Sequence, residues 1–200
     1  MDIVAVPIKP FGLAKARLAS SFSGTQRAAL GRATATRTVT SVLDALGKAS
    51  VVTADEEVAE WAGRLGASVI AEPIGKRSGL NGAAREVVSA ARGGMWMIIH
   101  ADLPLITVSD IRIAWAAALE GDFVLAPSHD GGTSVIGGIE SNFAFSYGPG
   151  SFHRHLAATG HLPVRILTRL GFLLDLDDPT DHQAAIRHPL GIWLTGTDGR

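Results

Sequence analysis

Short apolar runs alternate with longer amphipathic stretches along the first two-thirds of the chain. That rhythm is the signature of βα units wound into a mostly parallel sheet with flanking helices. It predicts strands over 2–7, 49–53, 67–71, 95–100 and 123–126, with helices over 25–46, 55–65, 80–91 and 108–119. Asp55, Glu56 and Glu57 open the second helix, as acidic side chains should at the positive end of a helix dipole. Gly47, Gly66, Gly93 and Gly121 stand where helix C-caps are expected. After residue 126 the rhythm changes. Asp130-Gly131-Gly132 reads as a tight turn into a strand over 133–136, and a loop over 142–150 leads to a helix over 151–159. Further strands are predicted over 164–167 and 172–176, then a helix over 179–186. The expectation is one α/β domain over 1–188 and a glycine-rich tail over 189–200 that frays.

Two hundred residues suffice for one such domain with a core of its own. The formal net charge is −1, which argues against a broad nucleic-acid footprint or a polybasic membrane anchor. Anion binding must then come from locally focused cations and backbone amides. Cysteine is absent, which excludes disulfides, thiolate metal sites and a cysteine nucleophile. No basic region followed by a long apolar stretch opens the chain, so a secretory signal is not expected. The longest apolar runs, such as 95–99, are too short to span a bilayer. A soluble, cytoplasmic protein is the expectation.

Four islands carry chemistry. The first follows the first strand, where open α/β sheets commonly recognise phosphate: Lys9, Lys15 and Arg17 bracket Gly12 in an almost uncharged stretch, and a compact ammonium with a guanidinium fork suits a triphosphate. The bland alternative is a solvated loop. In the second, His100-Ala101-Asp102-Leu103-Pro104, Asp102 stands at a strand's carboxyl end. A carboxylate there can hold magnesium together with substrate phosphates, or simply form the turn. The third is Asp130-Gly131-Gly132-Thr133. The fourth, Gly148-Pro149-Gly150-Ser151, reads as a helix start whose amides and hydroxyl receive an anion, or as a plain Ser151 N-cap; Thr133 can donate to the same anion. Gly79-Leu80-Asn81 opens another helix, where Asn81 can read a base or ribose, or cap.

A carboxylate cluster lies at 175–181. Asp178, Pro179 and Asp181 are explained by capping. Strand alternation over 172–176 would place Asp175 and Asp177 on one face, so that one of them, Asp177 first, meets Asp102 across a magnesium ion. The seven histidines suggest no metal site: His153 and His155 do not share a helix face, and His161, His182 and His188 fall near helix ends, where surface histidine is ordinary.

Taken in this order, the islands resemble the guanylyltransferases of coenzyme F-420 biosynthesis, the CofC/FbiD group. The resemblance runs from about Val4 to His188 and is carried by Val6-Pro7-Ile8-Lys9-Pro10 with Lys15 and Arg17, Gly79-Leu80-Asn81, Ala101-Asp102-Leu103-Pro104, Asp130-Gly131-Gly132-Thr133, Gly148-Pro149-Gly150-Ser151 and Asp175-Leu176-Asp177. It implies a single-domain, Rossmann-like (GT-A-like) nucleotidyltransferase fold. It implies that GMP passes from GTP to phosphoenolpyruvate, 2-phospho-L-lactate or 3-phospho-D-glycerate. Lys9, Lys15 and Arg17 would face the phosphates, with Lys15, Arg17 and Asp102 acting in catalysis, and Gly79, Leu80 and Asn81 would face the nucleoside. Asp102 with Asp177 or Asp175 would hold Mg²⁺, and Thr133, Gly148 and Ser151 the phospho-acid. A downstream phospho-acid transferase is an implied partner and a homo-oligomer is compatible; nucleic acid and membrane are not implied. Two residues depart from the family pattern. Ser134 replaces the usual asparagine, which would bear on acceptor choice, and Asp178 replaces a threonine, which would change only a cap. The alternatives are a related nucleotidyltransferase for a sugar phosphate, cobinamide or molybdopterin, and a GTP-binding protein without turnover.

Overall fold

The computed structural model describes residues 1–13, 15–75 and 78–196. In chain order the elements are β1 Ile3–Pro7, α1 Gly24–Leu46, β2 Ser50–Thr53, α2 Glu56–Arg64, β3 Ser68–Ala71, α3 Leu80–Ala91, β4 Trp96–Ile99, α4 Val108–Leu119, β5 Phe123–Pro127, β6 Thr133–Gly138, α5 Ser151–Ala158, β7 Val164–Ile166, α6 Leu170–Leu173 and α7 Pro179–Arg187. The strands form one sheet in the order β3-β2-β1-β4-β6-β5-β7. All neighbours are parallel except β6, which runs antiparallel to both β4 and β5. Among the described residues no helix is long and apolar enough to cross a membrane.

Alternation along each buried strand builds two cores on opposite sides of the sheet. Val4 and Val6 of β1 and Met97 and Ile99 of β4 pack with α1, α2 and α4 through residues such as Val39, Trp61 and Ile111. Ile3, Ala5, Trp96 and Ile98 face the other way, onto Ala84, Val87 and Ala91 of α3. The helix starts are set by local polar chemistry: Ser23 with Gln26 and Thr107 with Asp110 form reciprocal capping boxes. Asp178 and Asp181 form a third, with Pro179 in the first turn.

Two expectations fail. The run 172–176 is not a strand: it begins as the single helical turn Leu170–Leu173 and continues as an irregular connector. A short apolar run does not distinguish a buried strand from a buried turn by periodicity alone, and here Phe172 and Leu176 are buried without a ladder. The tail does not fray through 196. Pro189–Gly196 is a 3₁₀ helix, Trp193 Nε1 donates to the Pro104 carbonyl (3.1 Å), and Leu194 is fully buried with Leu18, Leu30, Leu105, Leu176 and Ala185. The expectation for 197–200 lies outside the described residues.

Gly191 shows how closely this segment is docked. A Cβ there would collide with the backbone carbonyl of Ala185 on α7, whereas one on Gly196 would meet nothing within 4 Å. Gly191→Ala is therefore expected to cost about 1–3 kcal/mol, lowering the melting temperature by roughly 2–4 °C per kcal/mol, while Gly196→Ala leaves it unchanged. Equal melting temperatures for the two variants in thermal denaturation would overturn the docking.

Candidate active site

The strand order reverses direction between β1 and β4, the switch point at which open α/β sheets form ligand crevices beyond the strands' carboxyl ends. A cleft of about 520 Å³ opens there. Because β6 is antiparallel, its first residue, Thr133, falls at the same end. The cleft is lined by Lys9, Lys15 and Arg17 after β1 and by His100 and Asp102 after β4. Ser128 and Asp130 after β5, Thr133, Gly148 and Ser151, and the connector residues Asp175 and Asp177 complete that lining.

Lys15 is the hinge of the cationic loop. Its backbone is left-handed (φ 58°, ψ 41°) at the head of the turn Ala16–Ser20, a conformation that costs a non-glycine residue about 1–2 kcal/mol. The side chain is only 7% exposed, and its ammonium lies 2.9 Å from Asp102 Oδ2 and 3.5 Å from Asp177 Oδ1. The two carboxylates expected to meet across a metal ion thus meet across an ammonium, which satisfies the rule that a buried charge be paired. Arg17 is exposed and lies 3.6 Å from the other Asp177 oxygen. A backbone hydrogen bond from Leu176 N to Asp102 O (2.9 Å) brings the Asp177 segment here, rather than strand alternation.

Asp130, Asp175 and Asp177 form a second grouping, with one oxygen of each within 4.8 Å of the others. Asp102 lies outside it, but its Oδ1 is buried and without a hydrogen-bond partner among the described residues. Asp175, Asp177 and Asp130, with Asp102 beside them, have the hard oxygen donors that magnesium takes. Their ionisation is uneven. Burial, then Asp102, Asp130 and Asp177, push the Asp175 carboxyl up to about 7. Burial alone would raise Asp102, but Lys15 and His100 outweigh it and hold the group below its ordinary value. Asp130 is likewise held low against its burial, by the Ser128 hydroxyl and the Gly132 amide. His129 sits 3.0 Å from both Asp175 and Asp181; burial lowers it, but Asp181 and Asp175 raise it above its ordinary value.

The glycine islands meet. Gly131 and Gly150 both adopt left-handed backbone (φ 82° and 68°), and the Gly131 carbonyl accepts from Phe152 N (3.2 Å), tying the turn to α5. Ser151 is not the N-cap: Gly150 caps α5, and the amides of Ser151 and Phe152 are already taken by Gly148 O and Gly131 O. The Ser151 hydroxyl instead donates to Thr133 Oγ1 (3.1 Å), and His155 Nδ1 lies 2.9 Å from the same oxygen.

Leu80 lines the cleft, whereas Gly79 and Asn81 do not. Gly79 N donates to Glu72 Oε1 (2.7 Å), and Asn81 Oδ1 accepts from Tyr147 N (2.8 Å), locking the start of α3 to the Gly148 loop. Ser134 points away from the cleft and donates to Ala126 O (3.2 Å), so the expected influence on acceptor choice has no contact behind it. His182, expected at the surface, is buried against Phe22, ring centroids 5.0 Å apart. Residue patterns also missed His100, Tyr147, His129, Asp130 as a ligand, and His155. His100, Asp130 and Tyr147 stand inside or beside the glycine and Asp-Leu-Pro motifs, so proximity to those motifs was the available signal. His100 Nε2 and Tyr147 Oη are buried without partners among the described residues.

The family model for "Guanylyl transferase CofC like" matches residues 1–192. A phosphoenolpyruvate guanylyltransferase of Sphaerobacter thermophilus is 34% identical over 94% of this chain and 95% of its own length. A 2-phospho-L-lactate guanylyltransferase of Methanothermobacter thermautotrophicus is 30% identical (93% and 84%). A 3-phospho-D-glycerate guanylyltransferase of Phenylobacterium zucineum is 33% identical (89% and 86%). Among solved structures, a nucleotidyl transferase from Methanothermobacter thermautotrophicus superposes with a TM-score of 0.61 at 15% identity, covering 92% of this chain and 95% of its own; that likeness bears on the fold alone.

The raised Asp175 carries a pH dependence. A carboxyl whose pKa is higher folded than unfolded contributes stability that is complete below the unfolded value and is lost as pH rises through the folded one. Metal-free protein should therefore lose stability between about pH 4 and pH 7, its folded Asp175 titrating near 7. Asp175→Asn should flatten that loss and raise the urea midpoint at pH 8 in chelator. Parallel pH profiles for the two proteins would refute it.

Proposed function

The chain belongs to the family of CofC-like guanylyl transferases, and from that premise we propose that it transfers GMP from GTP to a small phosphorylated acid, releasing pyrophosphate, in coenzyme F-420 biosynthesis. The observation that carries this reading is the meeting of three unlike groups in one cleft. These are the cationic loop with Lys15, the cluster of Asp102, Asp130, Asp175 and Asp177, and the Thr133–Ser151 hydroxyl pair. Relatives of similar length carry the names of phosphoenolpyruvate, 2-phospho-L-lactate and 3-phospho-D-glycerate guanylyltransferases, which supports the acceptor class.

In the reaction a phosphate oxygen of the acceptor bonds to the α-phosphorus of GTP, the bond from that phosphorus to the bridging oxygen breaks, and pyrophosphate departs with the electron pair. A phosphomonoester is mostly dianionic near neutral pH, with a second pKa of about 6, so no general base is required. The work left to the protein is to hold two anions in line and neutralise the charge that develops. Lys9, Lys15 and Arg17 face the triphosphate, Leu80 borders the nucleoside, and Thr133, Gly148 and Ser151 take the acid. Asp102, Asp175, Asp177 and Asp130 would hold magnesium, which supplies charge neutralisation and orientation of phosphate oxygens when bound. Lys15, paired with Asp102 and Asp177, keeps a cation fixed at that position without waiting for ligand.

The deciding experiment measures pyrophosphate release from GTP and Mg²⁺ with each of the three acids separately, with a downstream phospho-acid transferase present to draw off product. Release with one acid fixes reaction and acceptor together. Silence with all three, alongside clear GTP binding, would replace this reading with another acceptor or a binding protein. In the active pairing, Asp102→Ala should lower turnover ~10²–10³-fold, as expected for removing one preorganised electrostatic contact, with the fold intact by circular dichroism. Near-normal turnover in a folded variant would remove Asp102 from the mechanism.

A further inference from the structure

We propose that His155 is the positioning residue of the acceptor subsite, fixing the Thr133 hydroxyl proton so that it points into the cleft toward an anionic oxygen of the acid. The inference rests on the reading of Thr133 and Ser151 as acceptor-binding groups and deepens it.

The chain of donors leaves one solution. His155, on α5, is fully buried. The backbone N–H of Ser146 donates to its Nε2 (2.9 Å), so that nitrogen carries the lone pair, and a neutral ring must carry its proton on Nδ1. Nδ1 lies 2.9 Å from Thr133 Oγ1 and therefore donates to it. The Ser151 hydroxyl donates to the same oxygen from 3.1 Å. Thr133 Oγ1 thus accepts twice, and its own proton can point at neither neighbour. Among the described residues no other acceptor bonds it, and Thr133 is part of the cleft wall.

The opposite tautomer would reverse the outcome. A bare Nδ1 would take the Thr133 proton and turn the hydroxyl away from the cleft, while an Nε2 proton would face the Ser146 amide. Two further features hold the ring as described. Tyr147 packs edge-on against it at 4.8 Å, with Phe143 at 5.9 Å. Burial, then Arg154 and His100, hold its pKa down at about 4, so it stays neutral at working pH. A second cation beside Thr133 would attract any anion; a neutral ring instead makes a directed donor.

The test pairs spectroscopy with kinetics. In the ¹⁵N–¹H spectrum of the wild-type protein without substrate, His155 should appear as the Nδ1–H tautomer; the Nε2–H form overturns the proposal. His155→Phe removes both nitrogens and should raise the KM for the acid ~10-fold or more, the scale of a lost hydrogen bond to a charged group, leaving the KM for GTP within about twofold. His155→Asn places an amide near the Nδ1 position and should recover most of that loss. Equal KM for the acid in wild type and folded His155→Phe overturns the role, as do a matching rise in the KM for GTP and a His155→Asn no better than His155→Phe. Should His155→Phe not fold, the tautomer still decides. Acid binding is also followed by calorimetry. Wild-type protein that binds an acid but releases no pyrophosphate counts against the transfer reaction and leaves this inference standing, whereas binding none of the acids ends both.

Discussion

Mutual repulsion among four carboxylates is the constraint around which the site is arranged. Asp102, Asp130, Asp175 and Asp177 converge on one cleft, and no fold tolerates such a cluster unless something divides the charge. Each carboxylate is answered differently. Asp102 and Asp177 share the Lys15 ammonium, Asp130 is held by a hydroxyl and an amide, and Asp175 faces His129 while its carboxyl is pushed towards neutrality. A divalent cation would be a further answer. The left-handed backbone at Lys15 is then the local cost of bringing an ammonium to the one place where two carboxylates need it.

The fold supplies the convergence by two devices. The reversal of strand order between β1 and β4 opens the crevice, and the antiparallel β6 carries Thr133 back to the same end as the parallel strands' carboxyl termini. Neither would suffice without the connector after α6. Its amide at Leu176 bonds to Asp102 O, and the Leu173 carbonyl accepts from His129 N (2.8 Å). Two backbone hydrogen bonds therefore place Asp175 and Asp177 against loops that are far away in sequence.

These devices differ in how legible they were. The helices over 80–91 and 108–119 follow from periodicity and capping and are observed with those bounds. The cleft residues Lys15 and Asp102 follow from position relative to predicted strands, because ligand sites in α/β sheets are a property of strand ends, and Thr133 and Ser151 follow from the glycine turn and the helix start. The connector at 172–176 was misread because an apolar run of that length is equally a buried turn. The Lys15 bridge was not legible at all: it pairs residues 87 and 162 positions apart, and nothing local records that. His155 shares no helix face with His153, which bears on metal binding alone. A histidine can also matter by which nitrogen holds its proton, and that depends on an amide nine residues away in the loop.

The two ends of the cleft treat anions by opposite chemistry. The loop after β1 presents full charges, Lys9, Lys15 and Arg17, which suit a polyphosphate chiefly through charge. The far end presents a neutral donor, the Thr133 hydroxyl, set by the Ser151 hydroxyl and a buried neutral ring. Neutral donors are weaker but directional, so they reward an oxygen at one position and little else. Under the proposed reaction a chain of net charge −1 would in this way bind two anions in one cleft without drawing both to the same cations, one end selecting by charge and the other by direction.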